Sequence, residues 1–269
     1  MKKTKILAAI AAATLWSSCG GGSTNGLMKS ETLTVEKTVS ITNETGAPKC
    51  SVNLQLETVK GGTAERMAAI NETIARQLLG IEGAGLKEAA DSFANKYTSD
   101  YVKNFAPLYR EDRSDETKRA WYEYHYNIMG EASEGREGVL VYTATIDYYE
   151  GGAHGINQRI VMNFDNETGR LLTLADVFAP GYEQPLNELL QDALIEKVGA
   201  KDVKELREKG YLYSMDMFAP ENFVLGEDEV TFIYNPYEIA PYAMGLIELV
   251  IDNDDLEDLW KKSGNTSRN

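Results

Sequence analysis

The chain has 269 residues, with 42 Asp and Glu against 27 Lys and Arg, a formal net charge of −15. That balance repels nucleic acid and anionic lipid headgroups, and no Lys or Arg cluster offsets it, so nucleic acid is excluded as a partner. The length suits one large domain or two small ones, and the acidity favours a basic partner while also serving solubility.

Residues 1–18 read as a signal peptide. Lys2, Lys3 and Lys5 form a positive start, and Ile6 to Trp16 is an apolar run well short of the about 20 residues that a membrane-spanning helix needs. Ser17 and Ser18 then precede Cys19, as a lipoprotein signal peptidase requires, which makes Cys19 the expected lipidation site; Trp16 leaves the motif loose. Residues 19–32 follow as a lipidated, flexible tether, glycine-rich from Gly20 to Gly26. If Cys19 carries lipid, Cys50 stands alone, no internal disulfide can form, and the core must hold the fold. No second apolar run reaches membrane-spanning length, so the N-terminal lipid is the one membrane attachment expected.

Alternation predicts a strand within residues 32–45 (Leu33, Val35, Val39, Ile41) and another over Cys50–Val59, with Val52, Leu54 and Leu56 on one face. The period then changes. Met67, Ile70, Ile74 and Leu78 make the apolar stripe of a helix over Thr63–Leu79, and Ala89, Phe93 and Tyr97 mark a second over Leu86–Tyr109. Two alternating strands come next, Trp121–Met129 and Val139–Tyr149. The polar segment 131–138 joins them as an antiparallel pair with one face on the core.

After Gly151 and Gly152 the pattern predicts a strand over Arg159–Phe164, a turn at Asn166–Gly169 and a helical turn within Thr173–Phe178. A helix follows over Glu183–Val198, and Asp202–Glu208 suggests a further turn. Strands at 222–225, 229–234 and 246–251 lead to an acidic helix start at Asp254 that runs to Trp260. Strands and helices come in runs rather than in strict alternation, which points to an α+β fold of antiparallel sheets with packed helices. Two similar-sized subdomains are expected, an N-terminal one over 33–148 and a C-terminal one over 149–262. The seam would lie near 148–156, and 263–269 would be a disordered tail.

Three segments stand out: GGAHGINQ (Gly151–Gln158), TGRLLTLADVF (Thr168–Phe178) and YNPYEIAPYAMG (Tyr234–Gly245). Gly151, Gly152 and Gly155 permit backbone angles closed to other residues and close approach by a partner. His154 sits among them, where it can serve either a ligand or a structural hydrogen bond. Pro236 and Pro241 stiffen a loop that carries Tyr234, Tyr237, Glu238 and Tyr242. Its tyrosines offer amphipathic area suited to a protein or a sugar, although a rigid loop that covers the core would look the same. These ten residues are the candidate binding set.

In order and spacing, over about residues 145–262, the three segments resemble the extracytoplasmic domain of RsiV-type lysozyme-sensing anti-sigma factors, shared with the non-catalytic part of PdaC-type peptidoglycan deacetylases. Residues 33–145 resemble its usual N-terminal companion. The resemblance implies a recognition module for a lysozyme-like protein or for peptidoglycan. Those sensors carry a sigma-binding segment and a membrane helix, and the deacetylases a metal-dependent catalytic domain. None of these is legible here, so neither sigma-factor inhibition nor deacetylation is expected.

Catalytic patterns are missing from the sequence. It holds two histidines, His125 and His154, and no H-E-x-x-H, G-x-S-x-G, Walker or dinucleotide-binding pattern. No metal, no cofactor and no enzymatic activity is therefore expected. Two alternatives stay open. One is a wall-sugar hydrolase using paired carboxylates such as Asp147 with Glu150 or Asp252 with Asp254. The other is a structural envelope lipoprotein without a soluble ligand. No acidic residue follows Cys19 until Glu31, so the acidic surface-export code of some Gram-negative groups is missing and the protein is expected to face the periplasm. Protease added to intact cells should leave the chain uncut; its digestion while a periplasmic control survives would reverse that orientation.

Overall fold

The computed structural model describes residues 29–261. The expected signal peptide, Cys19, the tether up to residue 28 and the tail 263–269 lie outside the described residues.

The first part of the chain builds a sheet from β1 (Lys29–Ser40), β2 (Lys49–Lys60), β3 (Tyr124–Glu134), β4 (Val139–Tyr149), β5 (Ile156–Asp165) and β6 (Leu171–Leu172). Helices α1 (Ala64–Leu79) and α2 (Leu86–Asp112) lie between β2 and β3 in sequence. The six strands stand in sequence order. All neighbours are antiparallel except β2 and β3, which are parallel. A parallel neighbour needs a long crossover, and the two helices supply it.

The alternation legible in sequence is the alternation of burial. Val52, Leu54, Leu56, Ile128, Tyr142, Ala144, Met162 and Phe164 face Ile70, Ile74, Leu78, Ala90 and Ala94 in one core. Helix α1 starts where the Thr63 hydroxyl accepts the Arg66 N–H, and ends at Gly80 with φ 64°. Arg66 is a buried cation, 1% exposed. Its guanidinium donates to the Asn166 carbonyl (2.6 Å), to Asn166 Oδ1 (2.6 Å) and to the Gly61 carbonyl (2.9 Å). A side chain at Gly169 would meet the Arg66 carbonyl at 2.6 Å, so the glycine of this turn is required by close packing on α1.

The second part adds α3 (Leu174–Val177), α4 (Glu183–Val198), α5 (Val203–Glu208) and a three-stranded sheet of β7 (Phe223–Leu225), β8 (Glu229–Tyr234) and β9 (Ile247–Asp252). Leu186, Leu190 and Leu194 on α4 share a second core with Phe223, Phe232 and Leu249. The fold is thus α+β with mainly antiparallel sheets, as the pattern implied. Three local differences carry reasons. The seam expected at 148–156 is the β4–β5 hairpin of a single sheet. Leu171 packs on the first core and Leu172 and Leu174 on the second, so the cores change over there instead. Trp121 and Tyr122 close a 3-10 turn over Glu116–Tyr122 rather than opening a strand, and the acidic segment after Asp254 makes only a 3-10 turn at Glu257–Leu259.

Three asparagines join the sheets. Strand β5 pairs with β4 along its length but with β6 only at Asn163 and Phe164, which leaves part of its outer edge without a strand. Asn235 Oδ1 accepts the Arg159 N–H (2.7 Å) and its amide donates to the Arg159 carbonyl (3.0 Å). Asn222 Oδ1 accepts the Val161 N–H (2.8 Å), and its amide donates to the Arg159 and Ile233 carbonyls. Asn163, buried, donates to the Phe223 carbonyl (2.7 Å) and accepts from the Leu225 N–H (3.0 Å). Replacing Asn163 by Ala strips two backbone groups of β7 of their partners. The expected cost is about 2 kcal/mol, read as a lower urea midpoint for unfolding; an unchanged midpoint would mean that water replaces the amide.

Candidate functional site

Two of the three distinctive segments meet at one end of the molecule. The first spans the β4–β5 turn, and the second forms the connection between β8 and β9. Asn235, bonded to Arg159, fixes the start of that connection against β5. Glu238 Oε2 then accepts the Asn235 N–H at 2.7 Å, and the Tyr237 N–H donates to the Ala240 carbonyl at 3.1 Å, which makes the loop a tight turn.

His154 stacks on Tyr242, ring centroids 4.1 Å apart and 18° from parallel. Its Nδ1 lies 2.8 Å from the Gly155 carbonyl and its Nε2 lies 3.3 Å from the Tyr237 hydroxyl. A carbonyl only accepts, so Nδ1 donates there, which leaves Nε2 to face the Tyr237 hydroxyl. Tyr237 and Tyr242 are themselves 5.6 Å apart. The result is a three-ring cluster at the surface, with Tyr237 61% exposed.

The backbone beneath this cluster is strained. Tyr237 (φ 75°) and Leu212 (φ 50°) are the non-glycine residues with positive φ among the described residues. The two loops touch through a hydrogen bond from the Leu212 N–H to the Ile239 carbonyl. Bulky side chains seldom hold positive φ, and such outliers gather at functional sites.

The other candidates separate. Gly151 (φ 82°) and Gly155 leave no room for a side chain: a Cβ would meet the carbonyls of Trp121 and Tyr148 respectively, each at 2.8 Å. Their close approach is to this chain's own backbone. Gly152 (φ 99°) has open space around it, and its carbonyl accepts the Tyr149 hydroxyl. Tyr234 is buried, its hydroxyl donating to the Phe218 carbonyl at 2.7 Å, which places it in the core and not on a contact surface. Pro236 is half-buried and Pro241 exposed. Glu238 is half-buried, and burial holds its carboxyl above the usual carboxylate range, opposed by the Asn235 N–H.

Pattern reading missed Tyr213 (83% exposed) and Met244 (44% exposed). The Tyr211 hydroxyl lies 3.7 Å from the Met244 sulfur, which joins the Tyr211–Tyr213 loop to the cluster. The available signal was an apolar triplet, Tyr211-Leu212-Tyr213, between Gly210 and Ser214 with no strand or helix to absorb it.

Of the paired carboxylates, Asp147 bonds His125 (3.0 Å) and Asn127, whereas Glu150 accepts the hydroxyl of Tyr97 on α2 (2.7 Å). Tyr97 lies on the helix-covered side of the sheet and His125 on the other, so the two carboxylates do not face each other. Cys50 is buried, and burial pushes its thiol up to about 12, with Glu150 adding to the shift. Among the described residues no three His, Cys, Asp or Glu side chains gather as a metal site, and no helix is long and apolar enough to cross a membrane.

Residues 175–254 match the family described as a protein of unknown function, DUF3298. The fold is similar to that of a DUF3298 family member from Bacteroides fragilis, at 28% identity and TM-score 0.81, over 88% of this chain and 95% of the other. It is also similar to a DUF3298 family protein from Pseudomonas aeruginosa, at 18% identity and TM-score 0.60, over 88% and 97% of the two chains; at that identity only the fold is shared. No curated protein matches.

Positive φ at Tyr237 separates two substitutions. Tyr237→Gly should stay within about 1 kcal/mol of the parent, whereas Tyr237→Val, β-branched and badly suited to that backbone, should lose about 1–2 kcal/mol. Urea unfolding of both variants checks this. Equal stability of Val and Gly would show that the backbone there relaxes freely.

Proposed function

We propose that this protein is a lipid-anchored recognition module of the cell envelope, held by Cys19, facing the periplasm and carrying out no chemistry. Its contact surface is the cluster of His154, Tyr237 and Tyr242, extended through exposed Met244 to the loop of Tyr211, and its partner is a basic, lysozyme-like protein. The exposed three-ring cluster on a backbone of positive φ carries this reading, because such backbone outliers gather at functional sites. Tyrosine and methionine are among the residues enriched at protein contacts, and a formal charge of −15 steers a cationic protein inward. The resemblance of the 151–158 and 234–245 segments to the lysozyme-sensing domains points the same way.

Peptidoglycan is the second reading, favoured by the stacked rings, since sugar faces pack on aromatic planes. Calorimetry of the full-length chain against lysozyme, at low and at physiological salt, is the test. Micromolar binding that weakens as salt rises is expected, with Tyr237→Ala reducing affinity about tenfold or more, as truncating an aromatic anchor does. An absence of heat at low salt would remove that partner, and retention on purified sacculi would then favour the wall.

A further inference from the structure

We propose that the cleft between the two sheets is a binding site for an alkylammonium group carried on an apolar stem. The cleft has a volume of about 570 Å³, within the roughly 300–1,000 Å³ of small-molecule sites. Ile160, Met162, Leu171 and Phe218 give it an apolar lining, and exposed Glu221 and half-buried Glu238 supply negative charge; among the described residues no Lys or Arg lines it. It lies along the outer edge of β5, with Gln77 of α1 in its lining, and takes Glu238 from the loop that also carries Tyr237.

The two carboxylates come from different segments, one preceding β7 and one following β8, and each is held in place by a backbone N–H. Glu238 Oε2 accepts from Asn235 at 2.7 Å, and Glu221 Oε2 accepts from Leu174 at 3.0 Å. Among the described residues the remaining oxygen of each has no hydrogen-bond donor. Acceptors fixed before a ligand arrives cost little further ordering. Glu238 is half-buried, and burial opposes its ionised form, a cost that a bound cation removes. An anion would be repelled by both carboxylates, and a neutral apolar molecule would gain only the apolar lining. Charge complementarity therefore selects the alkylammonium.

Calorimetry of the full-length chain with n-hexylamine, 1-hexanol and hexanoate tests this, with the Met162 methyl resonance reporting the place of binding. The amine should shift that methyl and saturate, 1-hexanol should bind about tenfold more weakly, the difference a charge-assisted hydrogen bond makes, and hexanoate should not bind. Glu238→Gln keeps an oxygen for the Asn235 N–H, and Glu221→Gln does the same for Leu174; each should weaken the amine about tenfold and leave 1-hexanol unchanged. Nα-acetyl-lysine methylamide separates the sources. Binding as tight as hexylamine supports a lysine side chain as the occupant, and weaker binding supports a free amine. Equal affinity for hexylamine and 1-hexanol would overturn the proposal, as would an amine affinity that neither Gln variant changes.

Discussion

The outer edge of β5 is the constraint from which the arrangement of this molecule follows. An uncovered sheet edge presents donors and acceptors that must be paired, wetted or defended. Here β6 pairs with only two residues of β5, and asparagine side chains take over where the strand ends. A carboxamide carries a donor and an acceptor side by side, as a peptide unit does, so Asn222 and Asn235 stand in for the missing strand at Arg159 and Val161. Because both asparagines belong to the second sheet's segments, satisfying the edge also docks that sheet. Asn163 completes the junction from the other side by bonding β7. Val141, Val161 and Ile233 then close over a small apolar cluster at the junction. The Arg159–Glu248 ion pair crosses it as well, but both partners are partly solvated, and such pairs contribute little on their own.

The surface cluster depends on this junction. His154 lies in the hairpin that leads into β5, five residues before Arg159, and Asn235 opens the loop that carries Tyr237 and Tyr242. Pairing Asn235 with Arg159 brings the two loops to the same end, and the stacking of His154 on Tyr242 follows from that placement. Aromatic pairs contribute about 0.5–1.5 kcal/mol beyond the area they bury, comparable to the strain of a bulky residue at positive φ. Ring contacts and the turn bonds around Asn235 and Ala240 together hold Tyr237 outward. The same turn directs Glu238 into the cleft on its other side, so one loop serves two surfaces.

Buried polar groups do in this fold what a disulfide does in many exported domains. Among the described residues Cys50 is a buried thiol in no disulfide, and long-range restraint comes from Arg66, which ties the first turn of α1 to the β5–β6 turn, and from the three asparagines. Each such group costs a good deal if left unpaired and contributes modestly when paired. They therefore specify which surfaces meet, while the apolar clusters supply most of the stability.

Local pattern determined much of this protein. Period-two alternation in Val52–Leu56 and Tyr142–Ile146 and helical stripes such as Ile70, Ile74 and Leu78 mark the elements, because a strand or helix must bury one face whatever its neighbours are. Gly151 and the Tyr234–Gly245 segment marked where the chain does something unusual. The rest was decided by tertiary structure. The parallel pairing of β2 with β3, the membership of β5 and β6 in the first sheet, and the burial of Tyr234 beside an exposed Tyr237 all depend on partners far away in sequence. Nothing within GGAHGINQ says that its histidine will stack on a tyrosine 88 residues later. An asparagine that replaces a strand reads like any loop asparagine until the strand it replaces is in place. Hydrophobic periodicity is a property of a segment alone, whereas the pairing of an exposed edge and the convergence of two loops are properties of the closed chain.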